Sequence, residues 1–219
     1  MKNSNKINFK LIKHCIGECV TRLSVTIILL LLPLLAMPQS KESDQLYKQG
    51  TKLFDAEKYE EALPYFQKSD SLDKAMLKPT AENYYRAELK VADCWEQLTV
   101  QDNNEGNYAE ALKSQINVVN IRKRILGESH PKFAESLNAL AILYYDNGNI
   151  NEAIRLCTSA MEIRKNVVGI ESADYAESLN DLALLYDENG YYNQAVTYGK
   201  RALQIRKKIF GKENVVYII

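Results

Sequence analysis

Residues 134–148 read AESLNALAILYYDNG and residues 176–190 read AESLNDLALLYDENG, with eleven of fifteen letters identical across a step of 42. Other landmarks keep that step: Gly106, Gly148 and Gly190, then Ala111, Ala153 and Ala195, then Gly127, Gly169 and Gly211. The triplet Ile-Arg-Lys starts at 121, 163 and 205. A fixed period of about 20–50 residues marks a stacked solenoid, because each unit is too small to bury its own apolar face. The fold class is therefore an all-α solenoid of about four helix-turn-helix units.

Each unit reads as a helix A and a helix B. Over 128–169, Pro131 suits the first turn of helix A, where its missing N–H costs nothing. Leu137, Leu140, Ala141 and Tyr144 recur at spacings of three and four and make one apolar face. Asn147-Gly148-Asn149 ends the helix with a residue suited to the left-handed conformation. Asn149 and Glu152 form an N-cap and capping-box pair for helix B. That helix runs through Ala153, Leu156, Ala160 and Ile163, its alanines marking a close helix crossing. The unit at 170–211 repeats the pattern with Leu179, Leu182, Ala183, Tyr186, Gly190, Ala195, Ala202 and Ile205. Two earlier units diverge: 41–74, with Leu46, Gly50, Tyr59 and Ala62, and 75–127, with Trp95, Leu98, Gly106, Tyr108 and Ala111. The first helix of the second unit is extended, from Pro79 to Gln101.

These residues resemble the tetratricopeptide repeat (TPR), and the SLN-x-LA-x-LY pattern at 42-residue spacing resembles its kinesin-light-chain type. The resemblance spans 42–210 and implies a right-handed α-solenoid that serves as a protein-interaction scaffold; the matching residues are structural and leave the ligand open.

Lysine plus arginine and aspartate plus glutamate number 28 each, but residues 1–40 hold five bases and one acid, leaving 23 against 27 in the body. A mildly acidic body argues against nucleic acid as a partner. Lys2, Lys6, Lys10, Lys13 and Arg22 precede the apolar run Leu23–Met37, and Pro38, Gln39 and Ser40 follow it. This is the layout of a secretory signal peptide, which places the protein outside the cytoplasm, in a bacterial periplasm. The alternative is an uncleaved anchor through residues 23–37, the sole membrane contact expected. At the other end, GKENVVYII aligns with GIESADYAE at 169–177, so 212–219 reads as the start of a further, incomplete repeat. Three readings of that open end stand: a longer parent chain, end-to-end docking with another copy or a partner, or a tail that folds back as its own cap.

Chemistry-bearing constellations are sparse, and the chain is read as a non-enzyme without cofactor or metal. His14 lies in the leader and His130 in an inter-repeat loop. Cys15 and Cys19 precede the apolar run, whereas Cys94 and Cys157 sit in amphipathic helices and read as buried thiols. No phosphate loop, HExxH or nucleophile elbow occurs. The Arg-Lys pairs at 122–123, 164–165 and 206–207 would stack into a basic ladder able to meet acidic peptide or lipid headgroups. Their plainer reading is solvated cations near the negative ends of the B helices.

The concave face, lined by the A helices, is the candidate peptide-binding surface. Unit three offers it Glu135, Asn138, Ile142, Tyr145 and Asp146; unit four offers Glu177, Asn180, Leu184, Asp187 and Glu188. By resemblance, Asn138 and Asn180 match the asparagine of light-chain repeats, which can bond an extended peptide backbone; the competing reading has them bond neighbouring helices. Glu135 and Glu177 favour a neutral or basic segment. The functional expectation is an exported scaffold gripping a peptide or partner domain. The alternative is the N-terminal TPR portion of a larger enzyme or signalling protein, such as a CHAT-type peptidase or a sensor kinase.

Overall fold

The computed structural model describes residues 41–75 and 81–211. The expectations for residues 1–40 and 212–219 fall outside them. Eight helices and no strand occur among the described residues. They are α1 (41–55), α2 (Tyr59–Ala75), α3 (Ala81–Asn104), α4 (Tyr108–Leu126), α5 (Pro131–Asp146), α6 (Ile150–Val167), α7 (Ala173–Glu188) and α8 (Tyr192–Phe210). Each helix from α2 onward packs on the next in sequence, as the expected all-α repeat architecture requires. The odd-numbered members are the A helices and the even-numbered ones the B helices. At 24 residues, α3 is the longest of the described helices, as expected of an extended helix, though it runs on to Asn104 rather than Gln101 and the expected start at Pro79 lies outside the described residues.

The turn inside each pair follows one hydrogen-bond scheme. After α5, the Gly148 N–H donates to the Tyr145 carbonyl (2.8 Å) and the Asn149 N–H to that of Tyr144 (2.7 Å). This is a Schellman closure, which needs a left-handed residue between the helices, and Gly148 supplies it at φ 77°. The closure corrects one expectation. Because the Asn149 N–H is already used, Glu152 has no donor to reach back to, and its carboxylate pairs with Arg155. Only the forward half of the capping box forms, Asn149 Oδ1 accepting from the Glu152 N–H at 3.3 Å. The first unit makes the same closure without glycine: Glu57 takes φ 59°, with the Glu57 and Lys58 N–H groups bonded to Phe54 and Leu53.

The alanines expected at the helix crossings, Ala111, Ala153, Ala160, Ala195 and Ala202, are all buried. Two apolar clusters result. The rear one joins Leu137, Leu140, Leu156, Met161, Leu179, Leu182, Leu185 and Ile205. The front one gathers Ala62, Phe66, Val91 and Cys94, with Tyr47, Phe54 and Trp95 against it. Between them, α4 buries Ser114, Gln115 and Arg122. Gln115 Nε2 donates to the Ser136 carbonyl at 2.9 Å, so these polar groups, interleaved with the buried Ala111 and Val118 of α4, are bonded across to α5.

Arg122 corrects the basic-ladder expectation. Its side chain is 2% exposed, and its guanidinium makes two 2.7 Å bonds to Glu96 and one of 3.2 Å to Asp93 on α3. Arg164 is likewise buried, but it reaches forward to Ser178 Oγ (2.8 Å), the Asp174 carbonyl (3.2 Å) and Glu177 (3.3 Å) on α7. A guanidinium on a long stem reaches acids and hydroxyls on adjacent helices, and its planar fork suits such buried pairing. Lys123, Lys165 and Lys207 remain exposed, so in the pairs at 122–123 and 164–165 the arginine bonds neighbouring helices while the lysine faces water.

A second polar joint locks the first unit to the second. Ser43 Oγ donates to Asp73 Oδ1 (2.5 Å) and lies 3.0 Å from Ser69 Oγ, while Arg86 bonds Asp44 at 2.6 Å and lies 3.5 Å from Asp73. Asp73 is fully buried, so this charge is held by partners from two other helices.

Candidate functional site

The A-helix face is built from the helical phase. Residues three and four apart share a helix face, and the 42-residue period repeats that face from one A helix to the next. Val100 on α3, Ile142 on α5 and Leu184 on α7 occupy one repeat position. Their exposures are 55%, 52% and 50%, an aliphatic row left open to water on three successive A helices. One exposed aliphatic residue is unremarkable; a row at one phase is a surface.

Where α5 meets α7, this row borders a cleft of about 190 Å3. Its lining comprises Asn138, Ala141, Ile142 and Tyr145 from α5, Cys157 from α6, and Asp181, Leu184, Leu185 and Glu188 from α7. Five of the sequence-derived candidates (Asn138, Ile142, Tyr145, Leu184 and Glu188) therefore converge here. Asn180, Leu184 and Asp187 line a second cleft of about 320 Å3 against Val196, Lys200 and Leu203 of α8. Glu135 and Glu177 are exposed and line neither cleft; Glu177 pairs with Arg164.

Asn138 is engaged within the array. Its Nδ2 donates to Asp181 Oδ2 at 3.0 Å, and its Oδ1 accepts from the Cys157 thiol at 3.2 Å. That is the neighbouring-helix role. One helix pair earlier, Asn103 Nδ2 similarly bonds Asp146 across α3 and α5 at 3.1 Å. Asp181, which lines the cleft beside Asn138, went unnoticed in the sequence. Its signal was available: Asp181 replaces the Ala139 of the preceding unit in otherwise matching text. Burial pushes its carboxyl above the ordinary range, against the hydrogen bond from Asn138 and the attraction of Arg164 and Arg206.

Cys94 and Cys157 are free and buried, and burial pushes both thiols up to about 12, so neither is poised as a nucleophile. His130 is the N-cap of α5, its Nδ1 accepting from the Lys132 N–H at 3.1 Å. Among the described residues no group of His, Cys, Asp or Glu is placed to hold a metal, and no helix is long and apolar enough to cross a membrane.

Residues 102–156 and 132–208 match the family profile described as tetratricopeptide repeat. No curated protein matches the sequence significantly. Among solved structures, BtubC (BKLC) from P. vanneervenii is similar at 15% identity and TM-score 0.59, over 84% of this chain and 76% of that one. A kinesin-light-chain-like protein of nearly identical TPR-like repeats from Podosopora anserina is similar at 20% identity and TM-score 0.53, over 82% and 81%. The apo form of RapI is similar at 15% identity and TM-score 0.59, over 82% of this chain and 45% of that one. These likenesses establish the TPR-type helical-repeat fold, including kinesin-light-chain-like neighbours.

Proposed function

We propose that this chain is an exported scaffold that holds an extended segment of a partner protein against the face formed by α3, α5 and α7. The observation that carries the reading is the row Val100, Ile142 and Leu184, half open to water beside a cleft. Burying that row on a partner recovers apolar area that the fold leaves exposed. Ile142, Tyr145 and Leu184 are the contacts expected to matter most, with Asn180 and Asp187 extending the path toward α8. The leader at residues 1–40 supports delivery to the periplasm, or tethering at a membrane through residues 23–37 if it is retained.

The test compares the full chain with the double variant Ile142→Ser, Leu184→Ser in affinity capture from source cells. Proteins retained by the wild type and lost by the variant, at unchanged helical circular dichroism, are the expected result. Identical capture by both would remove the face from consideration.

A second reading, that the array is the front of a larger enzyme or signalling protein, is supported by the cleft between α7 and α8. Its lining includes Ala183, Leu184, Ala195, Val196 and Leu203, surface of the kind on which a further A helix would pack. The intact mass of the native protein decides between the two readings.

A further inference from the structure

Two properties of the α5–α7 cleft say what kind of segment fits it. The first is its interior. Ala141, Cys157 and Leu185 lie deep, while Ile142 and Leu184 rise to half exposure at the mouth. A volume near 190 Å3 holds one large apolar side chain, since about 150 Å3 accommodates a benzene ring. The second is its charge. The lining includes Asp181 and Glu188 and no cation. Among the described residues Asp181 has a single hydrogen bond, from Asn138, and Glu188 has no ion partner; nor do Glu135 on the same helix as Ile142 and Asp187 beside Glu188. Arg164 and Arg206 both attract Asp181, but neither lines the cleft, and Arg164 is already bonded to Ser178, Asp174 and Glu177. An apolar slot whose only charged lining groups are the carboxylates of Asp181 and Glu188 is electrostatically complementary to a basic segment and repels an acidic one.

We infer that the cleft between α5 and α7 takes one aliphatic or aromatic side chain of an extended basic segment of a partner protein, whose flanking lysine or arginine ion-pairs with Asp181 and Glu188. The inference rests on the reading of the A-helix face as the binding face. The apolar anchor supplies affinity by leaving water, and the carboxylates select charge and orientation.

The test is selection of random dodecapeptides displayed on phage against the full chain, followed by anisotropy titration of the enriched peptides in synthetic, labelled form. Expected are net-basic peptides with a large apolar residue next to lysine or arginine, weakened about tenfold by the double variant Asp181→Asn, Glu188→Gln. Their affinity should also fall with added salt in the wild type and much less in that variant. Asp181→Asn retains an oxygen acceptor for Asn138, so the variant is expected to fold, and circular dichroism checks this. Enriched peptides that are acidic or uncharged yet lost on Leu184→Ser would overturn the basic-segment assignment and leave the face standing. Enriched peptides indifferent to Leu184→Ser, or no enrichment over background, would overturn both.

Discussion

Leu182→Ala and Leu184→Ala, two positions apart on α7, are expected to have unequal consequences because the helix turns one side chain inward and the other out. Leu182 is fully buried within the rear cluster, whereas Leu184 is 50% exposed. Truncating a buried leucine removes its transfer energy and leaves a cavity, together about 2–5 kcal/mol, so about 3 kcal/mol is expected at Leu182. Truncating Leu184 leaves no cavity, because the lost atoms border water. Three carbons at about 0.8 kcal/mol each, half buried, give about 1 kcal/mol, partly offset by the better helix propensity of alanine. For a chain of this size about 1 kcal/mol moves Tm by roughly 2–4 °C, so shifts of about 6–12 °C and at most about 4 °C are expected.

The assay follows helical circular dichroism and Trp95 fluorescence through the same thermal ramp. Trp95 is the single tryptophan and packs on the front cluster, whereas Leu182 lies in the rear one. Repeat arrays pass stability between neighbours only through their interfaces, so Leu182→Ala should lower the dichroism transition more than the Trp95 transition. Equal losses from Leu182→Ala and Leu184→Ala would refute the assignment of the two faces. A Trp95 transition that moves by the full amount would refute the divided core.

Two further substitutions probe the turn closures, with opposite signs expected. Gly148→Ala forces a side chain to φ 77° with no steric neighbour, a cost of about 1–2 kcal/mol from the backbone alone. Glu57→Gly relieves a left-handed side chain at φ 59° and should be neutral or stabilising by up to about 1 kcal/mol, once the added freedom of the unfolded chain is counted. Urea midpoints check both, and shifts of the same sign would refute the shared closure. For Asp181→Asn, the sign of the pH dependence follows from burial. The folded carboxyl titrates above its ordinary 3.8, so the folded state keeps the proton longer and loses stability as pH rises through the window above 3.8. The neutral variant should match the wild type below that window and exceed it above, Arg164, Arg206 and Cys157 being the charged and titratable neighbours. A Tm difference that does not change with pH would refute the account.

What could be read in the sequence and what could not divide along a physical line. Period and phase were legible because they are properties of the backbone. A 42-residue step places Ala111, Ala153 and Ala195 at equivalent crossings and demands a left-handed residue at 106, 148 and 190. Neither inference requires knowing how far a side chain reaches. Reach is what defeated the reading of the Arg-Lys pairs. Arg122 and Arg164 hold the same repeat position, yet one turns back to Glu96 and the other forward to Ser178. The difference lies in what the flanking A helices offer. The α3 helix carries Asp93 and Glu96 where α5 carries Glu135 and Asn138, so a second carboxylate is on hand for Arg122 within its own pair. With asparagine at that place, Arg164 is drawn to the next unit instead, and Asn138 is left to bond Asp181. The substitution of Asn138 for Glu96 thus alters the joint between two repeats and holds the Asp181 carboxylate beside the α5–α7 cleft. In a repeat array the informative letters are therefore those that break the period. The matching letters specify the stack, and the mismatched ones, Asp181 against Ala139 and Asn138 against Glu96, specify the polar lining of the α5–α7 groove.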